Sequence, residues 1–177
     1  PSPPLSPPSP PPSPPPLFLT SLVEYATHPK LYASDAAAKD YFGISVSLYG
    51  DTALIGAPAD DDNSKTDSGS VYVFTRSTAD GTFTEQSKLR ASDPAEDDRF
   101  GKSVSLYGDT ALIGAYQDNN TGSVYVFTRS STHGGTFTYH SKIHMHDPEE
   151  WDNFGTSVSL YGDTALIGAK GKDDNDK

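Results

Sequence analysis

The sequence predicts an all-β fold made of repeated four-stranded antiparallel units, and three observations carry that expectation. The block Phe-Gly-x-Ser-Val-Ser-Leu-Tyr-Gly-Asp-Thr-Ala-Leu-Ile-Gly-Ala stands at Phe42–Ala57, Phe100–Ala115 and Phe154–Ala169, and its one variable position holds Ile44, Lys102 and Thr156. From Leu17 onward the chain consists of short apolar runs broken by Gly, Asp and Asn, and no run keeps a helical period beyond one turn. The copies start 58 and then 54 residues apart. A unit of that size cannot bury both its apolar faces alone, so the core must lie between neighbouring units.

The first element is the tract Pro1–Pro16, with 11 prolines and 4 serines. It has few backbone donors and almost nothing to bury. It is expected to be a polyproline II rod, and at about 3.1 Å per residue it would reach roughly 50 Å. Such a rod suits an inert spacer or a ligand for a proline-binding domain. It also resembles the hydroxyproline-rich modules of plant and green-algal wall glycoproteins. That resemblance implies hydroxylation and O-linked sugars at Pro7, Pro8, Pro10, Pro11, Pro12, Pro14, Pro15 and Pro16.

Within the repeated part, Ile44–Tyr49 and Thr52–Ala57 form a hairpin through Gly50-Asp51, a two-residue turn whose leading Gly suits type II′ geometry. The third strand is Ser70–Arg76, and the fourth runs from about Thr82 to Ala91 after a turn containing Gly81. Both faces of these strands are apolar, as face-to-face stacking requires. Lys30–Asp35, Lys88–Asp93 and Lys142–Asp147 align twelve residues before each Phe-Gly, which sets units of about 30–87, 88–141 and an incomplete 142–177. Asp93-Pro94-Ala95-Glu96 and Asp147-Pro148-Glu149-Glu150 read as capped single helical turns crossing to the next unit. Loops absorb the length differences: Pro58–Ser68 holds 11 residues where Tyr116–Thr121 holds 6.

Composition narrows the function classes. Twenty-four acidic residues against 13 basic give a net charge of -11, and the sequence has no Lys/Arg cluster, so nucleic acid is not an expected partner. No run approaches the roughly 18 apolar residues of a membrane span, and the charge opposes an anionic membrane surface, so no membrane insertion is expected. The absence of cysteine removes disulfides and thiolate chemistry from consideration. The chain opens at Pro1 without Met, so a leader or longer N-terminal part is expected to precede it.

With Phe42-Gly43 opening the unit and Gly56-Ala57-Pro58 closing its second strand, the chain resembles the FG-GAP repeat, the blade of integrin-type β-propellers. The resemblance spans about residues 17–177 and implies a partial β-propeller of two full blades plus a half, following the polyproline II segment. It further implies a secreted or cell-surface location and a role in adhesion or in recognising proteins and glycans. Integrin-type blades often carry a calcium loop between their first two strands. Here that place holds only the Gly50-Asp51, Gly108-Asp109 and Gly162-Asp163 turns, so the family's metal site does not carry over. A closed propeller needs at least four blades. The missing strands are expected from a continuing polypeptide or from other chains.

Individual residues suggest less. Asp60, Asp62, Asp118 and Asp173 recur in the loop after the second strand, where they read either as solvated acidic turns or as oxygen ligands for calcium, without the alternating pattern of a known calcium loop. His140, His144 and His146 share one face of a fourth strand and read as exposed side chains or a transition-metal site. Asn119-Asn120-Thr121 is an N-glycosylation sequon at Asn119. Trp151 is expected to cover the core, its alternative role being a stacking platform for a sugar. No nucleophile–base order or acid/base pair is recognisable, so no enzymatic activity is expected. The reading is an extracellular structural or adhesive glycoprotein, partnered by further copies of itself or by other extracellular proteins and glycans. Its blades either assemble into a scaffold or recognise a ligand through their rim loops.

Overall fold

The computed structural model describes residues 30–62, 64–130 and 135–171. The proline tract, with its eight acceptor prolines, and Asp173 lie outside the described residues. Strands β1 (Ser45–Tyr49), β2 (Thr52–Ala57), β3 (Ser70–Arg76) and β4 (Phe83–Leu89) form one antiparallel sheet in the order β1-β2-β3-β4. Strands β5 (Phe100–Tyr107), β6 (Thr110–Ala115), β7 (Ser123–Thr128) and β8 (Thr138–Ile143) repeat that sheet, and β9 (Phe154–Tyr161) with β10 (Thr164–Ala169) begins a third. The all-β expectation and the four-strand units therefore hold.

The local sequence explains the hairpins. Tyr49 pairs with Thr52, leaving Gly50-Asp51 as a two-residue loop. Gly50 sits at φ 57°, and Asp51 is not among the left-handed residues, which is the combination a type II′ turn needs. Gly108 and Gly162 repeat it. The hairpin ends carry a tyrosine ladder, with ring centroids 5.0 Å apart for Tyr49–Tyr107 and 5.2 Å for Tyr107–Tyr161.

Identical residues meet different fates along the array, and that shows where the core is. Leu54, Leu112 and Leu166 occupy the same place in the repeat, yet they are 0%, 3% and 70% exposed. Val46 and Val104 are likewise 68% and 8% exposed. One face of the first sheet (Leu54, Val71, Val73) packs with the opposite face of the second (Val104, Leu106, Ile113, Phe127), with Phe100 among them. Each unit is thus completed by its neighbour.

The invariant polar residues of the block act across the same interface. The Ser45 hydroxyl donates to the Gly101 carbonyl at 2.8 Å, and Ser103 repeats this to Gly155 at 2.7 Å. The Ser47 hydroxyl accepts from the Leu106 amide, and that of Ser105 from the Leu160 amide, each at 2.9 Å. A Cβ on Gly56 would collide with the Gly101 carbonyl, and one on Gly114 with that of Gly155. The opening Phe-Gly of one unit therefore packs on the closing Gly-Ala of the unit before it, and only glycine allows the approach.

The crossovers differ from expectation. Neither Asp93–Glu96 nor Asp147–Glu150 forms a helical turn, and the sole helical element among the described residues is a short 3-10 turn at Asp118–Asn120. Instead, the buried carboxylate of Asp98 accepts from the Ala95 amide at 2.6 Å. Asp40 and Asp152 do the same with Ala37 and Glu149, each at 2.7 Å. Asp97 and Arg99 turn to positive φ, and the amides of Asp97, Arg99 and Phe100 bond to the carbonyls of Thr66, Asp67 and Ser68 in the preceding unit. A helical turn over Asp93–Glu96 would have returned the Asp97 amide to the Asp93 carbonyl instead of to Thr66.

Candidate ligand-binding clefts between the units

Of the acidic residues after the second strand, Asp61 is exposed, but Asp60, Asp62 and Asp118 are neither solvated nor free. Asp60, Asp62 and Asp118 are 4%, 4% and 2% exposed, which corrects the solvated-turn reading. Asp60 accepts from Ser70 at 2.6 Å and Tyr72 at 3.2 Å and pairs with Lys88 at 2.7 Å. Asp118 does the same with Ser123, Tyr125 and Lys142. Asp62 pairs with Arg90 at 2.6 Å. Lys142 also reaches Asp93 at 2.8 Å, and Lys88 reaches Asp35 at 2.7 Å, so each cluster ties a crossover to the sheet that follows it.

The electrostatics follow from this burial. Desolvation pushes the Lys88 and Lys142 ammonium groups down, but their two carboxylates outweigh it and leave both pKa values raised. Asp35 and Asp93 end up lowered: burial acts upward, and the lysine and tyrosine partners act more strongly downward. Burial first, then the neighbouring carboxylates, drive the Tyr72 and Tyr125 hydroxyls far above the usual phenol range. Burial also raises Asp98, against the opposing hydrogen bond from Ala95. Calcium at Asp60 or Asp118 would have to displace a lysine. Among the described residues no three His, Asp or Glu side chains come together to hold a metal ion.

The other nominated residues are scattered. β8 ends at Ile143, so only His140 lies on it; His144 contacts the Ser123 hydroxyl at 3.0 Å, and all three histidines are exposed. Asn119 is exposed on the 3-10 turn at φ 51°. Trp151 does not cover the core: it is 56% exposed at φ 74°, its amide held by the Asn120 carbonyl.

A site emerges where the copies differ. Across Asp40–Pro58, Asp98–Tyr116 and Asp152–Lys170, only three positions vary: Tyr41/Arg99/Asn153, Ile44/Lys102/Thr156 and Pro58/Tyr116/Lys170. All nine residues line two adjacent clefts. One, of about 250 Å³, lies between the first and second units and is walled by Tyr41, Ile44, Pro58, Arg99, Lys102 and Tyr116. The other, of about 270 Å³, lies between the second and third and shares Lys102 and Tyr116 with it, adding Asn153, Thr156, Lys170 and Gly171.

Local backbone geometry puts the variable side chains there. The amides of Ile44, Lys102 and Thr156 each bond at 3.1 Å to the carbonyl three residues earlier, on Tyr41, Arg99 and Asn153. Phe-Gly thus occupies the middle of a β-turn, and Gly101 at φ 90° meets the type II requirement. The register skips between Phe100 and Ser103, so Gly101 and Lys102 form a bulge that aims Lys102 out of the sheet. Tyr41, Arg99 and Asn153 all sit at φ between 56° and 60°, a conformation that costs a non-glycine residue on the order of 1 kcal/mol. The Lys102 ammonium lies 5.8 Å above the centroid of the Tyr116 ring. No carboxylate lines either cleft.

Ile44, Lys102 and Thr156 stand out in the sequence as the variable position of the block, but Tyr41, Arg99 and Asn153 and Pro58, Tyr116 and Lys170 flank it without a motif, and only the fold brings all nine to the clefts. The sequence reading overlooked Asp40, Asp98 and Asp152, although Asp two places before every Phe-Gly was a visible signal.

No curated protein matches the chain closely enough to count as a relative. The FG-GAP repeat model matches residues 26–74, 83–127 and 137–177, which is most of the chain. Together with antiparallel four-stranded sheets that stack through their Phe-Gly and Gly-Ala corners, this match shows that the chain belongs to the FG-GAP repeat family and that its sheets are propeller-type blades.

Proposed function

We propose that this protein is an extracellular recognition and adhesion module whose inter-blade clefts contact the ligand. The observation that carries the reading is that, within the segment from Asp40 to Pro58 and its two copies, the positions that vary all line those clefts. Sixteen of nineteen positions in the aligned segment maintain blade packing and are the same in every copy, while the three that vary all face one surface. The left-handed backbone at Tyr41, Arg99 and Asn153 adds to this, since strain of that kind gathers at functional positions. No catalytic activity is assigned. In this reading the proline tract is the stalk, its prolines carrying O-linked sugars as hydroxyproline.

The test is an array of extracellular glycans and matrix proteins probed with the 177-residue protein and with Tyr116→Ala. The clefts are supported by a ligand whose binding falls in the variant. A panel of ligands that bind equally well without Tyr116 removes the clefts from the function.

A second reading, assembly of blades into a scaffold, is favoured by Val46, Leu48 and Leu166. These are 68%, 64% and 70% exposed on faces that the middle unit buries. Electron microscopy separates the two readings: ordered filaments support the scaffold, and discrete particles argue against it.

A further inference from the structure

We infer that the two clefts take an anionic glycan, a saccharide bearing carboxylate or sulfate groups; this rests on the recognition reading above. The chain carries a net charge of -11, yet the cleft walls present Arg99, Lys102 and Lys170 and no carboxylate. Arg99 and Lys102 flank one Phe-Gly turn, and the stacking of units brings Lys170, 68 residues further along the chain, into the cleft that Lys102 also lines. Arg99 is neutralised by Asp67 at 2.8 Å and Asp97 at 2.9 Å. Lys102 has no carboxylate within ion-pairing distance among the described residues, which leaves its charge for a ligand.

Main-chain groups of the Phe100–Lys102 turn between the clefts are already used: Phe100 N–H by the Ser68 carbonyl, Lys102 N–H by the Arg99 carbonyl, and the Gly101 carbonyl by the Ser45 hydroxyl. A peptide therefore cannot add here as a strand, the mode in which backbone hydrogen bonds supply affinity. Side chains must do the recognition. Tyr41 and Tyr116 offer aromatic faces for the apolar face of a sugar ring, with the Lys102 ammonium beside Tyr116 to meet an acidic substituent. Each cleft is smaller than the roughly 300 Å³ at which drug-sized pockets begin, so each holds about one ring. The shared Lys102–Tyr116 wall places two such rings in succession, as a polymer would present them.

A basic protein binds polyanions over its whole surface, whereas the net charge here repels them everywhere except at a local cationic site. Binding would therefore be site-specific.

The test uses calorimetry on the 177-residue protein with a sulfated tetrasaccharide, a uronate tetrasaccharide, a neutral tetrasaccharide and an oligoglutamate peptide. The anionic sugars are expected to bind about tenfold or more tightly than the neutral one, and Lys102→Glu to lose about tenfold, as one charge-assisted contact implies. Lys102→Arg should retain binding, and the charge-matched control Lys65→Glu should leave it unchanged. Ile44→Lys places in the first unit the residue its counterpart already holds in the second, so it folds and should tighten binding several-fold. Anionic sugars that fail to bind, or that bind without regard to Lys102 and Ile44→Lys, overturn the inference. So does preference for the neutral sugar or for the peptide. In those last two cases loss of binding in Tyr116→Ala still upholds the clefts as the recognition site, and that separates failure of the ligand class from failure of the site.

Discussion

Truncating the same leucine at successive places in the repeat measures directly whether the core lies between units. Leu112 is 3% exposed between the second and third sheets, whereas Leu166 is 70% exposed. Burying a whole leucine side chain is worth about 1.5–3 kcal/mol, and the cavity left by truncation adds to that, so Leu112→Ala should cost about 2–5 kcal/mol. Leu166 withdraws only about a third of its surface and leaves no cavity, so Leu166→Ala should cost less than about 1 kcal/mol. Leu54→Ala, at 0% exposure, should behave like Leu112→Ala. Urea unfolding followed by circular dichroism, with slopes compared to confirm that the transition keeps its cooperativity, gives the three values. At 2–4 °C per kcal/mol, about 3 kcal/mol would lower the melting temperature by roughly 6–12 °C. Equal costs at Leu112 and Leu166 would refute the argument, because Leu166 would then be as well covered in solution as its counterpart.

Glycine substitution should show the same gradient: Gly114→Ala drives a Cβ into the Gly155 backbone and should abolish stable folding or cost several kcal/mol, whereas the new Cβ of Gly168→Ala meets only the Ser157 side chain, so melting curves should show a far smaller loss. Lys142→Met strands Asp93 and Asp118 and should cost about 3 kcal/mol in denaturant unfolding; a neutral result would show that the buried pair contributes no net stability. Raised pKa values at Lys88, Lys142, Tyr72 and Tyr125 mean that their stabilisation is complete below about pH 10 and lost as pH climbs through the raised folded values. In a tyrosinate absorbance titration, two of the ten tyrosines should therefore ionise only together with unfolding, and ten equivalent tyrosines titrating near pH 10 in a folded protein would contradict it. Tyr41→Gly should relieve the left-handed backbone at φ 56° and leave stability unchanged or raised by up to about 1 kcal/mol; a loss above that would mean the exposed ring packs more than its 62% exposure suggests.

What could be read from the sequence was whatever local chemistry decides. Thr52–Ala57 and Ser70–Arg76 were predicted to the residue, because apolar runs bounded by Gly and polar turns have no competing arrangement. The Gly50-Asp51 hairpin was legible for the same reason. The crossover was not, since Pro94 and Glu96 suit a first helical turn. What overrides them is tertiary: Asp98 captures the Ala95 amide, and Thr66–Ser68 of the preceding unit take the following ones. Asp60 and Asp118 looked like loop carboxylates because the lysines and tyrosines that bury them come from the third and fourth strands of the sheet. The cationic clefts were hidden for a related reason. Arg99 and Lys102 are three residues apart, but Lys170 is 68 residues beyond Lys102, and only the stacking of units brings it into a cleft with Lys102.

The contact between Phe-Gly and Gly-Ala also bears on how such a protein changes over evolutionary time. Because Ser45–Gly101 and Ser103–Gly155 are the same joint made twice, duplicating or deleting one unit creates no junction that the array does not already contain. Length can therefore change in whole steps of 54 to 58 residues without passing through a misfolded intermediate sequence. The three corner positions of each new unit can differ from copy to copy, since the Ser–Gly joint is made by other residues. A chain of this design gains a new cleft with every unit it gains, and tandem duplication becomes a direct route from one binding specificity to several.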